Sequence, residues 1–138
     1  MDHSRVLIVE DEFLIAMCLE DVLAEAGYAV CGIAASQSDA LAMAEATHPD
    51  FAVVDVALSP GDGRAVARAL VDKHNTMVLF ATGQCEEVRF LGRTGGLACL
   101  PKPYDPQDVP AALKAMSALR AGRATGRLPD HMFLLDAA

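Results

Sequence analysis

Arg5-Val6-Leu7-Ile8-Val9-Glu10-Asp11-Glu12 is a short aliphatic run that stops on three carboxylates. Four similar β-branched or aliphatic runs follow, at Tyr28–Ile33, Phe51–Val56, Thr76–Ala81 and Leu97–Leu100. Stretches with helical spacing separate them, and this alternation argues for βαβ units and a parallel sheet. The first helix is expected from Glu12 to Ala26, with Ile15, Leu19, Val22, Leu23 and Ala26 inward, and Gly27 stops it. A second opens on Ser36-Gln37-Ser38-Asp39, a capping-box-like start, and ends near His48-Pro49. The third follows Asp62-Gly63 and turns Val66, Ala67, Leu70 and Val71 to the core. A fourth, over Glu86–Leu91, is barely two turns long before Gly92, Gly95 and Gly96. The fifth begins after Pro106 and carries Val109, Ala112, Leu113 and Met116 on one stripe. The expected fold is α/β: a doubly wound, five-stranded parallel sheet of the flavodoxin-like (βα)5 type. Its site lies outside the carboxyl ends of the strands.

Composition bounds the function. At 138 residues the chain holds one domain, placed at 1–120, with a tail over 121–138. Its 53% hydrophobic residues are rich in alanine and poor in aromatics, which suits an aliphatic core around a buried parallel sheet. No run approaches the roughly 18 apolar residues of a membrane span, and no signal peptide is visible. A cytoplasmic protein is expected. The net charge of −8 would repel a phosphate backbone, so neither nucleic acid nor a membrane is an expected partner. Cys18, Cys31, Cys85 and Cys99 form no C-x-x-C pair and read as small buried hydrophobes. The tail has three breakers, Gly122, Gly126 and Pro129, and one apolar cluster, Met132-Phe133-Leu134-Leu135. With these breakers the tail could be a flexible, solvated extension. Against that, Arg123 and Arg127 suit the acidic surface, and the cluster is expected to pack weakly, on this domain near 83–96 or on a second copy.

The polar residues fall at strand ends. Glu10 and Asp11 end the first run, Asp55 interrupts the third, Thr82 ends the fourth and Lys102 follows the fifth in Leu100-Pro101-Lys102-Pro103. The fold gathers these groups at one rim. Three crowded carboxylates invite a hard, oxygen-loving cation such as Mg2+. Such a cation lets one carboxylate attack a phosphoryl group, while an ammonium and a hydroxyl steady the group transferred.

At this point the chain resembles the receiver domains of two-component response regulators. The matching pieces are Val6–Glu12, the Asp55 run with Pro60-Gly61-Asp62-Gly63, Ala81-Thr82, and Lys102-Pro103-Tyr104, spread over residues 4–120. The resemblance implies that Asp55 accepts a phosphoryl group from a histidine kinase. It implies that Asp11 ligates Mg2+ directly, Glu10 acts mainly through water, and the Ala57 carbonyl completes the protein ligands, with Mn2+ an acceptable substitute. Thr82 would move to hydrogen-bond the phosphoryl group, and Lys102 would pair with it. A cis peptide between Lys102 and Pro103 is expected. Leu79-Phe80-Ala81-Thr82-Gly83 looks like the FAT GUY subgroup, single-domain regulators that work with kinases of the HWE or HisKA2 class. Two positions depart from the pattern. Gln84-Cys85 stands where the subgroup has an aromatic, and Cys99 replaces the Tyr or Phe usual three residues before the lysine. The readout is therefore expected to leave through the segment 83–96.

The leading function is a phosphoryl-accepting switch, not an enzyme, acting through contacts with a downstream protein and open to homodimer formation. One alternative is an Mg-dependent aspartyl phosphatase or phosphotransferase, but Ala57 sits where its second carboxylate belongs. Another is a receiver that no longer switches and serves as a binding module. A nucleotide- or flavin-binding domain is disfavoured, because no glycine-rich phosphate loop follows the first strand.

Overall fold

This computed structural model describes residues 4–85 and 98–135. The aliphatic runs form β1 (Arg5–Val9), β2 (Ala29–Ala34), β3 (Phe51–Val54), β4 (Met77–Thr82) and β5 (Ala98–Pro101). They lie parallel in the order β2-β1-β3-β4-β5. The chain runs outward from β1 to β2, then returns past β1 to build β3. That reversal leaves a crevice above the carboxyl ends of β1 and β3, where ligands of open α/β sheets sit.

Helices α1 (Phe13–Glu25), α2 (Gln37–Thr47), α3 (Gly63–His74) and α4 (Asp108–Arg120) connect the strands. Side chains alternate across each strand, so β1 sends Val6 and Ile8 to one face and Leu7 and Val9 to the other. The first face packs against Ala16, Leu19 and Leu23 of α1 and Leu113 and Met116 of α4. The second packs against Ala40 and Ala44 of α2 and Val66 and Leu70 of α3. Both layers are aliphatic, as the composition implies. Ser36 caps α2 by accepting the Asp39 N–H at 3.2 Å, and Asp62 caps α3 by accepting the Arg64 N–H at 2.9 Å. Gly27, at φ +94°, ends α1 as expected. Ala26, expected inward, is exposed: the buried stripe runs through Ala16, Leu19, Val22 and Leu23, and Ala26 lies past its last turn.

The tail adds to the sheet. β6 (Phe133–Leu134) pairs antiparallel with β5, with Ala98 opposite Leu134 and Cys99 opposite Phe133. Met132 is buried against the α1/α4 layer and Leu135 packs against the opposite layer, while Leu134 is exposed, so the cluster docks in part on its own domain. Arg127 lies beside Asp130, 3.9 Å away in the same segment. The short helix expected at Glu86–Leu91, and most of the segment 83–96, fall outside the described residues.

The cysteines need a correction. Cys85 and Cys99 form a disulfide, with Cα atoms 5.9 Å apart, while Cys18 is exposed and Cys31 half-buried. The pairing depends on the β4/β5 register, which sets Phe80 beside Cys99 and brings the turn after Thr82 over β5. Spacing along the chain carries no sign of it.

Candidate functional site

Parallel pairing builds the site. Val9 is in register with Val54, and the Asp55 N–H donates to the Val9 carbonyl at 2.9 Å. Glu10 and Asp55 therefore leave adjacent strands at the same level. Glu10, Asp11 and Asp55 each offer a carboxylate oxygen, and all three lie within 4.8 Å of one another. Glu10 and Asp55 are buried and Asp11 is exposed. Two buried carboxylates and a third at the mouth form an oxygen donor set with surplus negative charge, which fits a hard divalent cation.

Lys102 supplies the positive charge. Its Nζ donates to Asp55 Oδ2 at 3.0 Å and lies 2.9 Å from Glu10 Oε1 and 3.8 Å from Glu12 Oε2. Burial alone would favour the neutral amine, but hydrogen bonds to Glu10 and Asp55 outweigh it and hold the ammonium well above its ordinary range. Burial pushes the Glu10 carboxyl up, and Lys102 only partly offsets this. The peptide after Lys102 is cis, as expected, and so is Ser59–Pro60.

Asp55 is fixed at both oxygens. Oδ2 takes Lys102, and Oδ1 accepts the Ala57 N–H at 3.1 Å. Behind it, the Gly63 N–H donates to the Val56 carbonyl at 2.9 Å. A Cβ on Gly63 would run into the Asp55 carbonyl, so only glycine lets α3 start this close to the acceptor. Thr82 is fully buried at the end of β4, and its hydroxyl accepts the Gln84 N–H at 3.2 Å. It stands at the rim, turned to its own loop. The Ala57 side chain is a methyl, exposed and without acid or base character.

Two participants were not read as site residues. Glu12 reaches Lys102 because α1 begins immediately after β1, and its place beside Glu10-Asp11 was the available signal. The buried Tyr104 hydroxyl has no hydrogen-bond partner among the described residues, and burial with nearby Glu10 pushes its phenol up to about 12. Beside Lys102 and Tyr104, Leu14, Ile15 and Cys18 of α1 line a groove of about 550 Å³. Leu14 in its lining is 81% exposed, and its chain neighbour Phe13 is 71% exposed, unusual for large apolar side chains.

Residues 6–114 match the response regulator receiver domain family. The transcriptional regulatory protein PdtaR of Mycobacterium tuberculosis is 37% identical over 119 residues, covering 84% of this chain and 58% of PdtaR. The chemotaxis protein CheY of Thermotoga maritima is 29% identical over 83% of this chain and 98% of its own length. Among solved structures, the receiver domain of Erythrobacter litoralis PhyR superposes with a TM-score of 0.78 at 26% identity, covering 85% of this chain and 92% of that one. The chain spans little more than half the length of PdtaR, the curated relative with the highest of these identities.

Proposed function

The chain belongs to the response regulator receiver domains of two-component systems, and on that premise we propose that Asp55 accepts a phosphoryl group from a histidine kinase. The observation that carries this reading is the state of Asp55: buried, held at both oxygens, and set among Glu10, Asp11 and Lys102. Glu10, Asp11 and Asp55 would hold Mg2+, with the Ala57 carbonyl as a further ligand. Bound there, the cation neutralises charge between the carboxylate and the incoming phosphoryl oxygens. An Asp55 oxygen then forms the bond to phosphorus as the bond to the donor imidazole nitrogen breaks, and the imidazole leaves with its electron pair. Lys102 turns from the carboxylate to the transferred group's oxygens. Thr82 gives up Gln84 and donates to the same group.

The donor docks beside the acceptor. Lys102 holds Asp55 with its amine and also lines the apolar groove, so a protein seated on Leu14 and Ile15 lies next to the reacting carboxylate. A histidine kinase fits that position, and the Phe80-Ala81-Thr82 string favours the HWE or HisKA2 class. The output is contact with a downstream protein. The methyl of Ala57 leaves no acid or base two residues after Asp55, which favours a switch over a phosphatase with outside substrates.

Incubation with Mg2+ and acetyl phosphate tests the reading. A receiver gains one acid-stable, base-labile phosphoryl group per chain. Continuous release of phosphate far beyond one equivalent would point to a phosphatase instead.

A further inference from the structure

We infer that Cys85 and Cys99 are a reversible thiol–disulfide pair whose redox state sets how readily Asp55 retains a phosphoryl group. The inference rests on the phosphoacceptor reading and adds a regulatory input to the same site. Its basis is placement. Cys85 follows Thr82 by three residues and Cys99 precedes Lys102 by three, so the bridge ties together the two segments that bring a hydroxyl and an ammonium to the rim. The Cα separation of 5.9 Å lies in the range that closes a disulfide without moving backbone.

The core gives no structural reason for a bridge. Both faces of the sheet are sealed by long aliphatic side chains, whereas disulfides compensate for cores too small to hold a fold. What the bridge does constrain is the turn after β4. The Gln84 N–H donates to Thr82 Oγ1, so this turn folds back on the hydroxyl. Cys99, fully buried in β5, anchors the far end of the turn through Cys85. With the bridge closed, residues 83–85 stay against Thr82 and its oxygen stays engaged. With it open, Gly83, which has open space around its α-carbon, lets the turn swing away and frees the hydroxyl for the anionic group on Asp55.

The chemistry is thiol–disulfide exchange. A thiolate of a dithiol reductant attacks one sulfur of the bridge, the other leaves as a thiolate and takes up a proton, and the mixed disulfide is resolved by the second thiol. Two electrons and two protons pass to the cysteines, and the reductant becomes a disulfide. A low-molecular-weight disulfide such as oxidised glutathione runs the exchange in reverse. Both cysteines are buried, so exchange follows opening of the turn after β4, which carries Cys85 outward while Cys99 stays inside the sheet. Cys18 and Cys31 remain thiols in both states and serve as an internal count.

The full chain is equilibrated across oxidised and reduced glutathione mixtures, trapped with an alkylating agent and weighed. Two alkylations mark the bridged form and four the reduced form. Each form is then given Mg2+ and limiting acetyl phosphate, and the phosphorylated fraction is read by intact mass. The bridged form should reach a fraction at least threefold lower. Cys85→Ser should abolish the redox difference, as should Cys99→Ala. Thr82→Ala should also abolish it while keeping the bridge, a result that general stiffening of the fold would not produce. Four alkylations throughout the series, or equal phosphorylation of both forms, overturns the inference and leaves Asp55 as acceptor intact. Failure of both forms to take phosphate overturns the acceptor reading and the inference with it.

Discussion

The two ends of the parallel sheet treat polar groups in opposite ways. At the amino ends of the strands, polar atoms are spent on the chain itself. The Arg5 N–H donates to Asp50 Oδ2 at 2.9 Å, Arg5 Nη2 donates to the His48 carbonyl at 3.0 Å, and the buried Thr76 hydroxyl donates to the Pro49 carbonyl at 2.9 Å. At the carboxyl ends, Glu10, Glu12 and Asp55 converge on the ammonium of Lys102, with Asp11 beside them in the carboxylate cluster. One end closes its bonds locally and holds the fold. Among the described residues the other keeps surplus negative charge, which suits a cation from outside, and that imbalance marks the reactive end.

Four substitutions would break or sharpen this contrast. The largest effect is expected from Lys102→Ala, which removes the only positive group drawn to the carboxylates among the described residues. Phosphate uptake from acetyl phosphate should fall about 100-fold. The variant's melting temperature should also rise more with added Mg2+ than the wild type's, because the metal takes over the lost neutralisation. Uptake within twofold of wild type would show that the charge imbalance does not drive the chemistry. Next, Asp11→Asn should weaken Mg2+ binding by about tenfold in a calorimetric titration, since ligand charge sets affinity at such sites. An unchanged dissociation constant would remove Asp11 from the metal site.

The opposite end should respond in stability alone. Thr76→Val loses a buried hydrogen bond and leaves the Pro49 carbonyl unpaired, at a cost of about 1–2 kcal/mol in urea unfolding with uptake unchanged. Altered uptake would mean that the two ends are coupled. The smallest effect is Asp62→Ala, which removes the α3 cap for about 1 kcal/mol. The Arg64 hydrogen bond holds the Asp62 carboxyl below its ordinary value of 3.8. Its contribution is therefore full above that value and is lost as pH falls through the lower folded value. The gap between variant and wild type should be present at pH 6 and narrow below pH 3.8. A gap that stays constant down to pH 2.5 would mean that ionisation is not what makes the cap.

The carboxyl-end site was legible because strand ends in a parallel α/β chain converge by topology, so Glu10, Asp55, Thr82 and Lys102 could be placed without knowing any distance. The caps at Ser36 and Asp62 were legible because they are local, set by residues two or three apart. What escaped depends on register or on very short pairings. The Cys85–Cys99 bridge follows from how β4 lies on β5, and β6 is two residues long, below the length at which alternation can signal a strand. Ala26 was misplaced because helical periodicity does not say on which turn contact with the sheet ends. Glu12 was read as the start of a helix, and its reach to Lys102 appears only when α1 is set against β5.

Intact mass measurement of the wild-type chain and Asp55→Asn, each incubated with Mg2+ and acetyl phosphate, tests the central claim most directly. The substitution keeps the shape of the side chain and removes only its nucleophilic charge. The wild type should gain about 80 Da, the mass of one phosphoryl group, and lose it in base, while Asp55→Asn, folded by circular dichroism, gains nothing. Equal gain by both proteins would contradict the account, because the phosphoryl group would then sit on another residue.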